Sequence, residues 1–328
     1  MWVVNVQHIK QVPGRKTDVK DAEWIATLMR LGLLNNSFIP EEKQRDLRDL
    51  TRYRTQLTNE RSTAVNRVQK VLEDANIKLS SVVSSIQGVS AREMLTAIIE
   101  GRDDSEALAE LAKGRMRNKI PELVEALTGH VRPHHRFMLS ELLTHMDDLN
   151  QQLGHLNERI EQQTAPHEAL IARLDEIPGV GRHTAEILLA EIGCNVDPFP
   201  SEKHLASWAC LCPGNNISAN KRRTGKTRKG QKWLRTALAE AAWAASRSKE
   251  TYLAAQFHRL RVRRGPKRAA VAHSILIIVY HLMKDPTATF QELGGDYFVK
   301  RSKGDQKRRA LKTLTTLGFA VELTPVAG

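Results

Sequence analysis

Cysteine is scarce in this sequence, and the scarcity is informative. Cys194, Cys210 and Cys212 are the only three in 328 residues. An odd number gives no disulfide framework, and a Cys-x-Cys pair without a second half is too tight for a zinc knuckle. Reduced thiols, and with them a cytoplasmic location, are the expectation. Long hydrophobic runs are missing too. The most apolar stretch, Ala269 to Met283, carries His273 and His281 and is too short to cross a bilayer, so it reads as a buried helix and no membrane partner is expected. No signal peptide is visible: Met1-Trp2-Val3-Val4-Asn5-Val6 lacks a basic leader and looks like a β-strand. Internal repeats and low-complexity tracts are absent. Acids are in deficit, with Asp+Glu 37 against Lys+Arg 50 and a net charge of +13. Such an imbalance concerns partners rather than fold, and polyphosphate is the commonest one.

What is present divides the chain. At 41% hydrophobic residues, a chain of this length can bury two or three cores. After the strand-like Trp2–Val6 and a turn at Pro13-Gly14, Thr17 is placed to cap a helix running through Leu34, with Asp18 in its first turn, where the helix dipole favours a carboxylate. One strand and one helix cannot close a sheet, so the opening reads as the end of an α/β unit. A helix is expected over roughly Glu41 to Ala75, where Leu50, Leu57, Ala64 and Val71 recur every seven residues and Leu47, Val68, Leu72 and Ala75 adjoin them. Shorter helices over Ser90–Glu100 and Pro121–Leu127 follow a serine-rich break. A second long helix, about Pro133 to Gln163, places Leu142, Met146, Leu149, Leu153, Leu156 and Ile160 at alternating spacings of four and three. That is the seam of a coiled coil or antiparallel hairpin.

The second half carries the polar chemistry. Ile177-Pro178-Gly179-Val180-Gly181 precedes a helix over Thr184–Ile192. Gly179 and Gly181 would allow close backbone approach, and the amides of a helix N-terminus suit a phosphate; the pattern is that of a helix–hairpin–helix. Ser201 can cap a helix through Leu211. After Pro213-Gly214 comes a long basic loop with Ser218 at its mouth, then Lys221, Arg222, Arg223, Lys226, Arg228 and Lys229, with Lys232 and Arg235 on the alanine-rich helix Lys232–Arg247. Cations at this density repel one another unless they face a polyanion. Ser218 itself needs an activating base or metal to act as a nucleophile. A further cluster, Arg259, Arg261, Arg263, Arg264, Lys267 and Arg268, surrounds Gly265-Pro266. Asp18 and Asp21, at i and i+3 on one helical face, could hold a hard divalent cation.

These residues together resemble a known family. The run Pro13-Gly14-Arg15-Lys16-Thr17-Asp18-Val19-Lys20-Asp21-Ala22-Glu23-Trp24-Ile25-Ala26 is similar to the last part of the RuvC-like (RNase H-like) domain of insertion-sequence transposases of the "one-ten" family. The stretch from Ile177-Pro178-Gly179-Val180-Gly181 through Leu205-Ala206-Ser207-Trp208-Ala209 and Cys212-Pro213-Gly214 to Lys229-Gly230 and Trp233-Leu234-Arg235 resembles its C-terminal transposase domain, and Leu293-Gly294-Gly295-Asp296-Tyr297-Phe298 is similar to its tail. The resemblance implies excision and insertion of mobile DNA, in relatives guided by a structured RNA. It implies a serine that links covalently to DNA, here Ser218 in a Pro-x-x-x-x-Ser-small-x-Lys context. It also implies four acidic residues binding a divalent metal such as Mg²⁺, with Asp18 and Asp21 as the Asp-x-x-Asp pair. The first two of those acids lie upstream of the pair in the family, whereas this sequence begins at Met1 just before it, so an N-terminally truncated chain, catalytically defective alone, is expected.

The expected fold is mainly α. A remnant of an α/β RuvC-like domain spans 1–38, a coiled-coil helical arm with a small helical insert 41–165, an all-α transposase domain with a helix–hairpin–helix 170–285, and a tail 286–328. The rival expectation is a non-catalytic nucleic-acid-binding protein using the same hairpin and basic loops.

Overall fold

A computed structural model describes residues 18–34, 38–212, 216–218, 221–224, 230, 232–265 and 268–316. The strand expected at Trp2–Val6, the Pro13-Gly14 turn and the Thr17 cap lie outside them, as do Lys226, Arg228 and Lys229. The protein is mainly helical. In chain order the elements are α1 (Asp18–Arg30), α2 (Glu42–Asp74), α3 (Leu79–Val82), α4 (Val89–Ile99), α5 (Ser105–Ala109), α6 (Ile120–Leu127), α7 (Pro133–Thr164), α8 (Glu168–Asp175), α9 (Arg182–Ile192), α10 (Glu202–Trp208), β1 (Asn216–Ser218), β2 (Lys221–Thr224), α11 (Lys232–Ala245), α12 (Tyr252–Arg264), α13 (Arg268–Lys284) and α14 (Tyr297–Thr316). They form two compact units. One comprises Asp49–Ala165, the other Met1–Arg48 with Pro166–Gly328.

The Asp49–Ala165 unit is an antiparallel helix pair with a helical insert. Arg54 on α2 donates to Asn157 on α7 at 3.3 Å, and Arg61 donates to Asn150 at 3.2 Å. Seven residues up one helix match seven down the other, as antiparallel packing requires. The buried stripe of α2 includes Leu57, Ala64, Val68 and Leu72, and that of α7 includes Leu139, Leu142, Met146, Leu149 and Leu153. Leu50 and Val71 are only half-buried. Thr51 and Arg54 are buried in the same stripe instead, at 1% and 4% exposure. A strict seven-residue count drifts on a helix of 3.6 residues per turn, which explains the displacement.

The end of α2 is a Schellman cap. Asn76 takes φ +58°, Ile77 N–H donates to the Leu72 carbonyl at 2.8 Å and Asn76 N–H to Glu73 at 3.0 Å. Leu72 and Ile77 then share the core, the apolar contact that accompanies this motif. The insert adds Met94, Leu95 and Ile98 from α4 and Leu123 from α6, all fully buried. Asp104 accepts from Glu106 N–H and so caps α5. Where the two long helices meet the insert, Asp74 accepts from His135 at 2.8 Å and from Arg132 at 3.1 Å. The His135 hydrogen bond, above all, holds the Asp74 carboxyl below its ordinary value.

The other unit is built around α13, which packs against α8, α10, α11 and α12. Val271, Ala272, Ile275, Leu276, Val279 and Tyr280 are all buried, which is why this segment is the most apolar in the chain. Among the described residues no helix is long and apolar enough to cross a membrane. The Tyr280 hydroxyl donates to the Phe199 carbonyl at 3.1 Å, so its polar end is satisfied where its ring is buried. Phe199 packs edge-on to Phe38 and tilted on Trp208, with centroids 5.7 and 5.1 Å apart.

Several elements differ from their sequence-based bounds. The helix expected through Leu34 ends at Arg30 and turns at Gly32, φ +67°. α10 ends at Trp208 because Cys210 takes φ +56°. Ser201 makes no capping bond; its hydroxyl is engaged by His204 Nδ1 at 2.8 Å. The segment read as one long basic loop contains the antiparallel hairpin β1–β2, and the tail contains the helix α14.

Candidate nucleic-acid interface

The hairpin is fixed at its root. Cys210 and Gly230 approach so closely that a Cβ on Gly230 would lie 2.3 Å from the Cys210 sulfur. A side chain on Gly230 would have to displace the Cys210 side chain, so the chain leaves α10 and returns towards α11 close to one point. Between these ends, β1 and β2 pair antiparallel, with Ser218 opposite Lys221, Ile217 opposite Arg222 and Asn216 opposite Thr224, the irregularity falling between Asn216 and Ile217. Ser218 thus stands at the last paired position before the turn, in backbone register with the first of three successive cations, Lys221, Arg222 and Arg223. A register irregularity of this kind bends a ribbon and commonly re-aims the residues beside it.

The turn between α8 and α9 holds Gly179 and Gly181. Gly179 has φ +88°, and a Cβ there would lie 2.3 Å from the Ala241 carbonyl oxygen and 2.6 Å from the Ala245 nitrogen of α11. The glycine is therefore demanded by backbone packing against α11 and by its left-handed conformation. Val180 N–H closes the turn onto the Ile177 carbonyl at 2.8 Å, and both side chains are buried. Gly181 is the N-cap of α9, extended and without a side-chain cap bond. The next residue, Arg182, clamps the start of α8 through two bonds to Glu168, at 2.6 and 2.9 Å, and reaches Glu186 at 3.2 Å. The Arg182 hydrogen bond holds the Glu168 carboxyl below its ordinary value.

The far end of α9 is capped by side chains from the start of α2. Arg48 Nε donates to the Ala190 carbonyl at 2.9 Å, a second Arg48 nitrogen donates to the Glu191 carbonyl, and Gln44 donates to Ala190 at 3.1 Å. The Glu191 carboxylate, fully buried, lies 3.6 Å from Arg48 Nε. Terminal carbonyls that have no partner within their own helix are thus satisfied, and a cation sits at the negative end of the helix dipole.

The sequence-predicted residues fall on distinct elements. Ser218, Lys221, Arg222 and Arg223 come together in the hairpin, and Lys232 opens α11 beside its root. Gly179 and Gly181 belong to the turn that supports α11. Asp18 and Asp21 stand one turn apart at the start of α1, which takes no part in the principal helix packings of the described residues. None of the three cysteines forms a disulfide, and no group of three or more metal-type side chains occurs among the described residues. An open cleft runs along α11, lined by Gly230, Lys232, Arg235, Glu240, Trp243 and Arg247 among others. Trp243 and Arg247 were not singled out from the sequence. Their i, i+4 spacing on the same stripe as Lys232 and Arg235 was the available signal.

A helical core thus supports a hairpin whose second strand begins with three successive cations. Comparison with protein families supplies the class. Residues 171–259 match the model of the Transposase IS116/IS110/IS902 family, and residues 1–77 match a DEDD-type transposase model of the IS110 group. The chain belongs to the IS110 family of insertion-sequence transposases, whose substrate is DNA and whose four-acid domain points to a divalent metal. No curated protein matches it.

Proposed function

We propose that this transposase cuts and rejoins DNA through a covalent link to Ser218, with Asp18 and Asp21 as its contribution to a Mg²⁺ site and the hairpin cations as the cradle for the DNA backbone. The observation that carries the reading is the register of the hairpin, which sets Ser218 directly opposite Lys221, with Arg222 and Arg223 following along the same strand. In the transesterification, the serine oxygen forms a bond to phosphorus as the bond from phosphorus to a sugar oxygen breaks. The serine proton is lost and the departing sugar oxygen gains one, so the number of phosphoester bonds is conserved and a second strand's hydroxyl can later reverse the step. Lys221, Arg222 and Arg223 hold the phosphate and offset the charge that develops on its oxygens.

The Asp-x-x-Asp spacing supports the reading of the pair as part of a hard divalent cation site. Asp18 and Asp21 share one face of the first turn of α1, and Mg²⁺ usually takes one or two carboxylates, with substrate oxygens and water completing the octahedron. When bound, the ion would lower the barrier by polarising the phosphoryl oxygens. The turn from α8 to α9 is read as the helix–hairpin–helix of the family, with the exposed amides at the start of α9 as a further phosphate contact. A structured RNA as guide and a homo-oligomer formed through the Asp49–Ala165 unit complete the reading.

The test is a denaturing-gel assay for a protein–DNA adduct with element-end DNA. Ser218→Ala is expected to abolish the adduct while leaving the salt-dependent DNA affinity within about twofold, since one neutral hydroxyl releases no counterions. An adduct that persists in the variant rules out Ser218 as the nucleophile. Binding without any adduct in the parent chain would favour the non-catalytic binding protein.

A further inference from the structure

The cleft along α11 has features that the cutting chemistry does not require. Its volume is about 670 Å³, within the ~300–1,000 Å³ usual for small-ligand sites. Its lining includes Leu211 and Gly230, on the two sides of the hairpin root, and Ala269 and Ala272 in the first turns of α13, the positive end of that helix's dipole. α11 supplies a single stripe to it. Lys232, Arg235 and Trp243 line the stripe with one acid, Glu240, Arg247 joins them from just past the end of the helix, and Ala239 and Ala244 leave the space open. The opposite face of α11, with Leu234, Leu238, Ala241 and Ala245, is buried.

The aromatic in this stripe is unusual. Trp243 keeps 36% of its surface exposed, and the Arg247 guanidinium lies 4.5 Å from its ring centroid. An exposed indole backed by a cation, in a concave site with three basic side chains against one acid, suits an unstacked base with its phosphate. Paired DNA hides its base faces in the stack and would present only its backbone to such a cleft.

We propose that this cleft binds one unpaired nucleotide of the DNA strand, its base against Trp243 and its phosphate against Arg235 and Arg247, at the root of the hairpin that carries Ser218. The inference rests on the reading of the hairpin as the DNA-cutting element and adds the chemistry of what lies beside it. An extruded base held here would anchor the strand at a fixed distance from the hairpin and reward distortion of the duplex at the cut site.

The experiment compares the full chain's affinity, by fluorescence anisotropy, for a short duplex with one bulged nucleotide and for the same duplex fully paired. The parent is expected to prefer the bulge. Trp243→Ala should weaken bulged-duplex binding about 5- to 100-fold with the paired-duplex affinity unmoved, and Trp243→Phe should restore most of the preference. Ala244→Glu places a carboxylate in the open part of the cleft at an exposed position, so it tests the site without touching Trp243, and it should lower the preference too. A preference that survives both Trp243→Ala and Ala244→Glu overturns the proposal. So does an equal loss on both duplexes, which would make Trp243 a support of α11 only. Equally tight, Trp243-dependent binding of single-stranded RNA reassigns the cleft to RNA and overturns it as stated. Ser218→Ala should retain the bulge preference. Loss of the adduct reading with that preference intact removes only the nucleophile assignment, and an adduct without the preference removes only this inference.

Discussion

The two units of this protein solve different problems with similar helices. The Asp49–Ala165 unit holds a continuous apolar core in which α2, α4, α6 and α7 each contribute fully buried side chains. Its polar groups serve the packing: Arg54 and Arg61 to asparagines, Asp74 to His135, Asp104 to the cap of α5. The other unit spends its backbone on irregular features. Gly179 is pressed against α11, Gly230 against Cys210, Cys210 itself has a positive φ, and a buried carboxylate sits under Arg48. In the Asp49–Ala165 unit the buried Arg54, the left-handed Asn76 and the close approach of Gly129 to the Ala75 carbonyl serve the helix pair and its insert, whereas in the other unit the irregular positions Gly179, Cys210 and Gly230 adjoin α11 and the root of the hairpin. The two units should therefore fail differently when cut.

The largest effect is expected at Arg48. Its guanidinium satisfies two carbonyls at the end of α9 and faces the Glu191 carboxylate, which has no solvent exposure. Arg48→Ala removes that buried cation and the donors it supplies to the last carbonyls of α9, a loss of about 3–5 kcal/mol. Because α9 packs on α11, the damage should spread to the hairpin's support. Chemical denaturation should show a lower midpoint, and the DNA adduct should fall in parallel. A variant with unchanged stability would mean that the carboxylate has another way to be satisfied.

A matching cut in the other unit sharpens the contrast. Leu95 lies fully buried among the residues of the insert core. Leu95→Ala removes its contacts and leaves a cavity, at a cost of about 2–5 kcal/mol. The loss should appear in the unfolding of the Asp49–Ala165 unit, while the affinity of the hairpin for DNA stays within about twofold. If DNA affinity fell as far as it does in Arg48→Ala, the division of labour between the units would be wrong.

How much of this was legible beforehand follows the same division. The long helices α2 and α7 were placed within one residue at each end, because apolar repetition over nine turns outweighs local noise. The seam of α2 was legible at Leu57 and Ala64 but drifted by Leu50, where Thr51 takes the inner position and no apolar signal marks it. The helix of α13 announced itself by being apolar on all sides. The hairpin did not. Lys221-Arg222-Arg223-Thr224 has no alternation of apolar and polar residues, and no local pattern marks the close approach of Cys210 and Gly230, twenty residues apart. Asp18, Asp21 and Ser218 are candidates by residue type and spacing, but two acids one turn apart or one serine in a loop are common, and only the family resemblance gives them particular roles. The Trp243–Arg247 stripe was readable from helical spacing, but its concavity needed α13 and the hairpin root beside it.

The smallest effect tests whether the irregular unit depends on its surface ion pairs as well as its buried one. Glu168 receives two hydrogen bonds from Arg182, which lower its carboxyl pKa from the ordinary value of 4.5. A carboxyl lowered in the folded state stabilises the fold while it is ionised. Its contribution is therefore complete above the unfolded value and disappears as the pH falls through the lower folded one. Glu168 is half exposed, so solvent screens the pair and the gain is small. Thermal midpoints of the parent and of Glu168→Gln should then differ slightly at neutral pH and converge as the pH is lowered past that range. Raising the salt concentration at neutral pH should narrow the same gap, because the pair lies at the surface. The corresponding comparison at Arg48 should be nearly insensitive to salt, since Glu191 is buried. Equal salt sensitivity at the two sites would place the Arg48–Glu191 pair in solvent and remove the contrast between buried and exposed charge on which α9 is argued to stand.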